Sequence, residues 1–153
     1  MDEATNQTQA YHTISKAAEM LGISVPTIRL YEREGLIISH RNESGHRMFL
    51  DSDIERIRCL RSAINEKKIS IKGIRHIFAL IPCWRIKNCP EEARKSCAAF
   101  FEHDTPCWMV TKKSLECRTT DCRSCQVYTD YSNCQAVKGL VAQFTVPPVH
   151  AAD

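Results

Sequence analysis

A chain of 153 residues, 43% hydrophobic and 25% charged, has room for one domain or two small ones. No apolar run approaches the roughly 20 residues that a bilayer span needs, and residues 1–9 are polar without an apolar signal core; a membrane span is excluded and a cytoplasmic location is expected. The net charge of +3 is modest, but basic residues crowd between Arg29 and Arg75, a distribution suited to phosphate.

Residues 1–10 are polar and aperiodic, and are read as a disordered tail. From Tyr11, the apolar order Ile14, Ala17, Ala18, Leu21 predicts a short amphipathic helix, capped by Ser15 and ended by Gly22. Ser24 then caps a second helix, with Val25 and Pro26 in the first turn where a missing N–H costs nothing, and Gly35 stops it. Ile28 and Tyr31 mark one side of that helix, which leaves Thr27, Arg29 and Arg33 on the other. An exposed Arg beside a hydroxyl at a helix start suits base edges and phosphates.

Two short runs follow, Leu36-Ile37-Ile38 and His46-Arg47-Met48-Phe49-Leu50, separated by the turn-rich Asn42-Glu43-Ser44-Gly45. They predict a hairpin, and a hairpin beside a helix-turn-helix is a wing. Ser52-Asp53-Ile54-Glu55 reads as a capping box before a third helix with Ile54, Ile57, Leu60 and Ile64 inward. Ser70 caps a fourth helix, with Ile71, Ile74, Ile77, Phe78 and Ile81 inward and Pro82 at its end. The fold class is therefore mainly α, in the order helix, helix, hairpin, helix, helix over residues 11–81.

The stretches Thr13-Ile14-Ser15, Gly22-Ile23-Ser24-Val25, Thr27-Ile28-Arg29, Tyr31-Glu32, Glu34-Gly35-Leu36-Ile37, the wing residues Arg41, Gly45 and Arg47, and Asp53 to Ile57 together resemble the N-terminal winged helix-turn-helix domain of the MerR family of transcription regulators. The resemblance implies double-stranded DNA as partner, contacted by Thr27, Arg29 and Tyr31 of the second helix and by Arg47 of the wing. Leu30 stands where the family often has a second Tyr, and His46 where the wing often has Tyr; His46 is kept as a phosphate contact. Family members act as dimers on promoters, which adds RNA polymerase as a partner. They pair through a long helix, but no sustained heptad follows Pro82 here, so a homodimer would need another route.

Nine cysteines, eight of them between Cys83 and Cys134, mark residues 82–135 as a separate cysteine-rich module, followed by a tail at 136–153. In a reducing compartment such a cluster points to metal rather than disulfides. The module contains a repeat: Pro82-Cys83-Trp84 recurs as Pro106-Cys107-Trp108, and Cys89-x7-Cys97-x2-Phe100 recurs as Cys117-x7-Cys125-x2-Tyr128. The second copy adds Cys122, which makes Cys117-x4-Cys122-x2-Cys125, the spacing that plant-type ferredoxins use for three of their ligands. The module also resembles small cysteine-tryptophan repeats found on bacterial sensory proteins. The expected ligand sets are Cys117, Cys122, Cys125 and Cys134, with a second set of Cys83, Cys89, Cys97 and Cys107, around an iron–sulfur cluster or zinc.

No Ser-His-Asp arrangement, phosphate-cradling Gly-rich loop or acid pair is visible, so catalysis is not expected. The reading is a DNA-binding transcription regulator controlled by a metal-stabilised cysteine-rich module. Two alternatives stay open at this point: a redox or electron-transfer protein carrying a DNA-binding-like domain, and a structural zinc module for partner binding.

Overall fold

Thr13, rather than Ser15, opens the first helix: its hydroxyl accepts the Lys16 N–H at 3.2 Å, and α1 (Ile14–Leu21) runs to Gly22, whose φ of 64° ends it. The computed structural model describes residues 9–132; most of the tail assigned to 1–10, Cys134 and the segment 136–153 lie outside the described residues. The cap sits two residues earlier than expected because Tyr11–Thr13 is a strand, β1. A strand of three residues shows no alternation that a sequence pattern could reveal.

β1 makes the expected hairpin part of a three-stranded antiparallel sheet. The wing strands are β2 (His40–Arg41) and β3 (Arg47–Leu50), and the order is β1-β3-β2. Tyr11, His12 and Thr13 pair with Leu50, Phe49 and Met48, while His40 and Arg41 pair with Met48 and Arg47. At the tip, the Asn42 side chain accepts the His46 N–H at 2.9 Å, and Arg41 Nη1 donates to the Gly45 carbonyl at 2.9 Å. These two bonds close the turn that Asn42 and Gly45 start.

The second helix, α2 (Val25–Arg33), has the caps its sequence calls for. Ser24 Oγ accepts the Thr27 N–H at 3.3 Å, and Gly35 at φ 76° turns the chain so that the Leu36 N–H reaches the Tyr31 carbonyl at 2.9 Å. The third helix, α3 (Asp51–Asn65), starts one residue before Ser52. Its cap is Asp53, whose carboxylate accepts the Leu50 N–H at 2.7 Å. Ile28, Leu36, Phe49 and Ile57 are fully buried, and Tyr31, Ile37, Ile54 and Leu60 complete the core between the helices and the sheet.

The chain divides into two compact units between Ile71 and Lys72, ahead of the expected boundary at 81–82. The reason is aromatic packing by α4 (Ile71–Ala79): Phe78 meets Trp108 with ring centroids 5.7 Å apart. Arg75 Nε also donates to the Asp104 carbonyl at 3.0 Å. The first thiol therefore marks the start of a motif, while its packing partner begins a helix earlier.

The internal repeat is visible in space. Pro82 precedes the helical turn α5 (Cys83–Ile86) as Pro106 precedes the 3-10 turn Cys107–Met109. After α6 (Glu91–Lys95), Cys97 caps α7 (Ala98–Phe101); after α8 (Leu115–Arg118) and the 3-10 turn Cys122–Ser124, Cys125 caps α9 (Gln126–Tyr131). Each copy makes the same aromatic pair: Trp84 on Phe100 at 4.9 Å and 76°, and Trp108 on Tyr128 at 5.2 Å and 81°. Edge-to-face packing of this kind adds to plain burial. Among the described residues no helix is long and apolar enough to cross a membrane.

Phe49 on β3 is fully buried and is among the largest fully buried side chains. Phe49→Ala is expected to destabilise the first unit by about 3–5 kcal/mol, measured by chemical denaturation of the full chain.

Candidate nucleic-acid interface and thiol cavity

Ser24 and Gly35 fix the length and direction of α2, and the wing turn fixes where His46 and Arg47 stand. Between α2, the start of α1 and the wing lies an open groove of about 450 Å³, lined by Thr13, Arg29, Arg41, His46 and Arg47 among others. Four basic side chains thus share one concave surface. Arg29 and His46 are exposed, and among the described residues Arg29 has no hydrogen bond or ion pair.

The other predicted contacts are placed differently. Thr27 is half-buried, with its hydroxyl 2.8 Å from Ser24 Oγ, so it reinforces the helix cap and is not among the residues that line the groove. Tyr31 is a core residue, 3% exposed; it follows Ile28 by three positions, which turns it inward with Ile28 and away from any ligand surface. Arg47 lines the groove but is not free. Its Nε donates to Glu32 Oε2, and the same carboxylate accepts Ser39 Oγ through Oε1. Sequence reasoning did not single out Glu32 and Ser39, which hold Arg47, or Arg41 as a groove residue: Glu32 and Arg41 stand in the motif, but the pairing of Glu32 with a residue fifteen positions away leaves no periodic trace.

In the second unit, Cys83, Cys89, Cys97, Cys107, Cys117, Cys122 and Cys125 all line one cavity, together with Trp84, Trp108, Val127 and Tyr128. The two ligand sets expected from chain order are thus not separate in space. The cavity leaves about 30 Å³ for the centre of a water-sized sphere, room for one or two waters. Among the described residues no three Cys, His, Asp or Glu side chains converge closely enough to hold a single metal ion.

Electrostatics sort the thiols. A hydrogen bond between Cys83 and Cys107 lowers the Cys83 pKa and raises that of Cys107. Burial, and then the neighbouring charges of Cys83, Cys122 and Cys125, push Cys107 further up. Burial also raises Cys89 and Cys117, whose charged neighbours include Cys83 and Cys97. Two amines reach the sulfurs: Lys113 Nζ donates to Cys122 Sγ at 3.2 Å, and Lys87 Nζ to Cys125 Sγ at 3.9 Å.

Residues 12–80 match the model of the MerR HTH family regulatory proteins. An uncharacterized HTH-type transcriptional regulator of Haemophilus influenzae is 38% identical over 111 residues, 72% of this chain and 72% of that protein. The chain belongs to the MerR family. It is a DNA-binding transcription regulator. A second Haemophilus influenzae protein, named "Probable heavy metal-dependent transcriptional regulator", is 43% identical over 68 residues, 44% of this chain and 52% of that protein. An alignment of 111 residues is too long to end at residue 80, so the likeness to the first relative continues past the MerR helix-turn-helix domain.

Within this MerR domain, Glu32 is the strut between recognition helix and wing. Glu32→Gln keeps an acceptor for Ser39 and removes the ion pair with Arg47. It is expected to cost about 1–3 kcal/mol in chemical denaturation, and to weaken binding to every duplex tested rather than to change which duplex is preferred.

Proposed function

We propose that α2 lies in the major groove of duplex DNA, where Arg29 reads base edges and Thr27 contacts the strand at the helix start. The wing carries His46 and Arg41 to the adjacent phosphates. Arg47, held through Nε, turns the remaining nitrogens of its guanidinium to the same backbone. The observation that carries this reading is the exposed, unpartnered Arg29 in a groove shared with three other basic side chains. Affinity comes mostly from phosphate neutralisation and specificity from α2.

We assign the cysteine-rich unit as the regulator's input, a metal centre in the thiol cavity. Seven thiols around one cavity support this. The regulator works in the cytoplasm, with RNA polymerase and a second copy of the chain as partners. The long pairing helix of the family has no counterpart among the described residues, because the nine-residue α4 is followed by the four-residue α5; pairing takes another surface.

Genomic pull-down supplies the duplex, and titration at two salt concentrations tests the contacts. Arg29→Ala is expected to lose about 1–3 kcal/mol of discrimination at one base pair. Arg41→Ala weakens binding evenly and lowers the salt slope by about one. An Arg29→Ala protein that discriminates as well as wild type would overturn the assignment.

A further inference from the structure

Cys122 and Cys125 are set apart within the thiol cavity by their spacing and their partners. Cys122-Arg123-Ser124-Cys125 is a Cys-x-x-Cys sequence, and its first three residues form a 3-10 turn that the Cys125 N–H closes on the Cys122 carbonyl at 3.2 Å. A 3-10 turn rises about 2.0 Å per residue and stacks the side chains of positions i and i+3 on one edge. The two Cα atoms therefore stand about 6 Å apart, inside the range of roughly 4.4–6.8 Å that a disulfide bridges. Each sulfur also meets an ammonium: Lys113 Nζ donates to Cys122 Sγ at 3.2 Å, and Lys87 Nζ to Cys125 Sγ at 3.9 Å. A second bond, to the Trp108 carbonyl at 3.4 Å, holds Lys113 in place. Both thiols are half-buried, whereas Cys83 is buried, and both line the cavity that has room for one or two waters. Hydrogen peroxide takes the space of about two waters; a tripeptide disulfide is far larger.

We propose that Cys122 and Cys125 are a peroxide-reactive dithiol, with Cys122 as the attacking thiol, Cys125 as the resolving thiol and Lys113 as proton donor to the leaving oxygen. Cys122 gives its proton to solvent and its sulfur attacks the near oxygen of hydrogen peroxide. An S–O bond forms, the O–O bond breaks, and the departing hydroxide takes a proton from the Lys113 ammonium and leaves as water; Lys113 regains that proton from solvent. Cys122 is then a sulfenic acid. Cys125, having given its proton to solvent, attacks the Cys122 sulfur; the S–S bond forms, the S–O bond breaks, and hydroxide leaves as a second water on taking a proton. Each sulfur loses one electron and each peroxide oxygen gains one. A transient disulfide of this kind is the form in which a reducing compartment uses the bond for sensing. The reaction consumes both sulfurs, so it excludes a metal ion held by either and belongs to the metal-free cavity. That it controls transcription rests on the DNA-binding reading above; that the disulfide forms does not.

The test is the full chain, reduced and freed of metal with a chelator, treated with hydrogen peroxide and mapped by mass spectrometry after its free thiols are alkylated. Trypsin cuts after Arg123, so a bond between Cys122 and Cys125 joins two peptides that are separate in the reduced protein, and fragmentation tells Cys125 from Cys134 on the second. That bond as the main product supports the assignment. A main product between other thiols, an unreacted Cys122, or faster oxidation by glutathione disulfide than by peroxide at equal concentration overturns it. Cys125→Ser is expected to stop at a sulfenic acid on Cys122 that dimedone traps, and Cys122→Ser to yield none on Cys125; the opposite pattern refutes the order of attack. Should Cys122→Ser fail to fold, the wild-type peptide map decides. Lys113→Met is expected to slow the peroxide step by about 100-fold with unchanged circular dichroism, and Lys113→Arg to recover most of the rate; an unslowed Lys113→Met removes the lysine from the proposal. Titration of reduced and oxidised samples with the pulled-down duplex separates the two readings. Protein that binds DNA and never forms the bond sinks the dithiol and leaves the regulator, whereas protein that forms the bond and binds no duplex in either state does the reverse.

Discussion

Glu32 receives a guanidinium from β3 and a hydroxyl from the segment before β2 on one carboxylate. With side chains 29% and 21% exposed, Arg47 and Glu32 meet where screening by water is incomplete and a charged hydrogen bond is worth more than on an open surface. The pair is a constraint on geometry before it is a contribution to stability. A two-residue strand and a four-residue strand would form a weak hairpin by themselves; pinned to α2, and joined by β1 on the other edge, the wing holds a set angle to the recognition helix. Every contact ascribed to Arg29, Arg41 and His46 presupposes that angle.

The second unit lacks such a frame. Its helices after α4 are four to six residues long, too short to be stable from propensity. Its buried apolar side chains include Trp108, Val110, Val127 and Tyr128 beside the α4 residues Ile74 and Phe78. Segments of this size commonly need a staple beyond their core. The duplicated Trp–aromatic pairs supply a scaffold in two copies, and the thiols that each copy turns inward end up around one space.

Local signals in the sequence were legible, and distant pairings were not. Ser24, Gly22 and Gly35 act at their own turns, so cap and stop could be read directly. For Tyr31 two arguments conflicted: helical spacing from Ile28 turned it inward, the family resemblance turned it outward, and spacing prevailed because the core needs a residue there. Arg47 alternates correctly in β3, but its capture by Glu32 depends on how strand and helix meet. The boundary at Pro82 followed composition, which registers thiols and overlooks that Phe78 is already a partner of Trp108. The repeat was visible from spacing, whereas the mingling of its thiols was not, since chain order says nothing about how two copies face each other.

The burial that makes the cavity hospitable also explains why it cannot stay empty of charge balance. A thiolate out of water is costly unless a cation answers it. Burial pushes Cys89 and Cys117 up, the hydrogen bond with Cys83 and burial push Cys107 up, and the hydrogen bond with Cys107 draws Cys83 down. Lys87, Arg94 and Lys113 bring three positive charges to the cavity, fewer than the seven thiolates that full deprotonation would produce. Protons and metal ions are therefore alternative means of neutralising the same sulfurs. In the metal centre proposed for this cavity, each bound ion displaces thiol protons, so its affinity rises with pH through the range in which those protons leave.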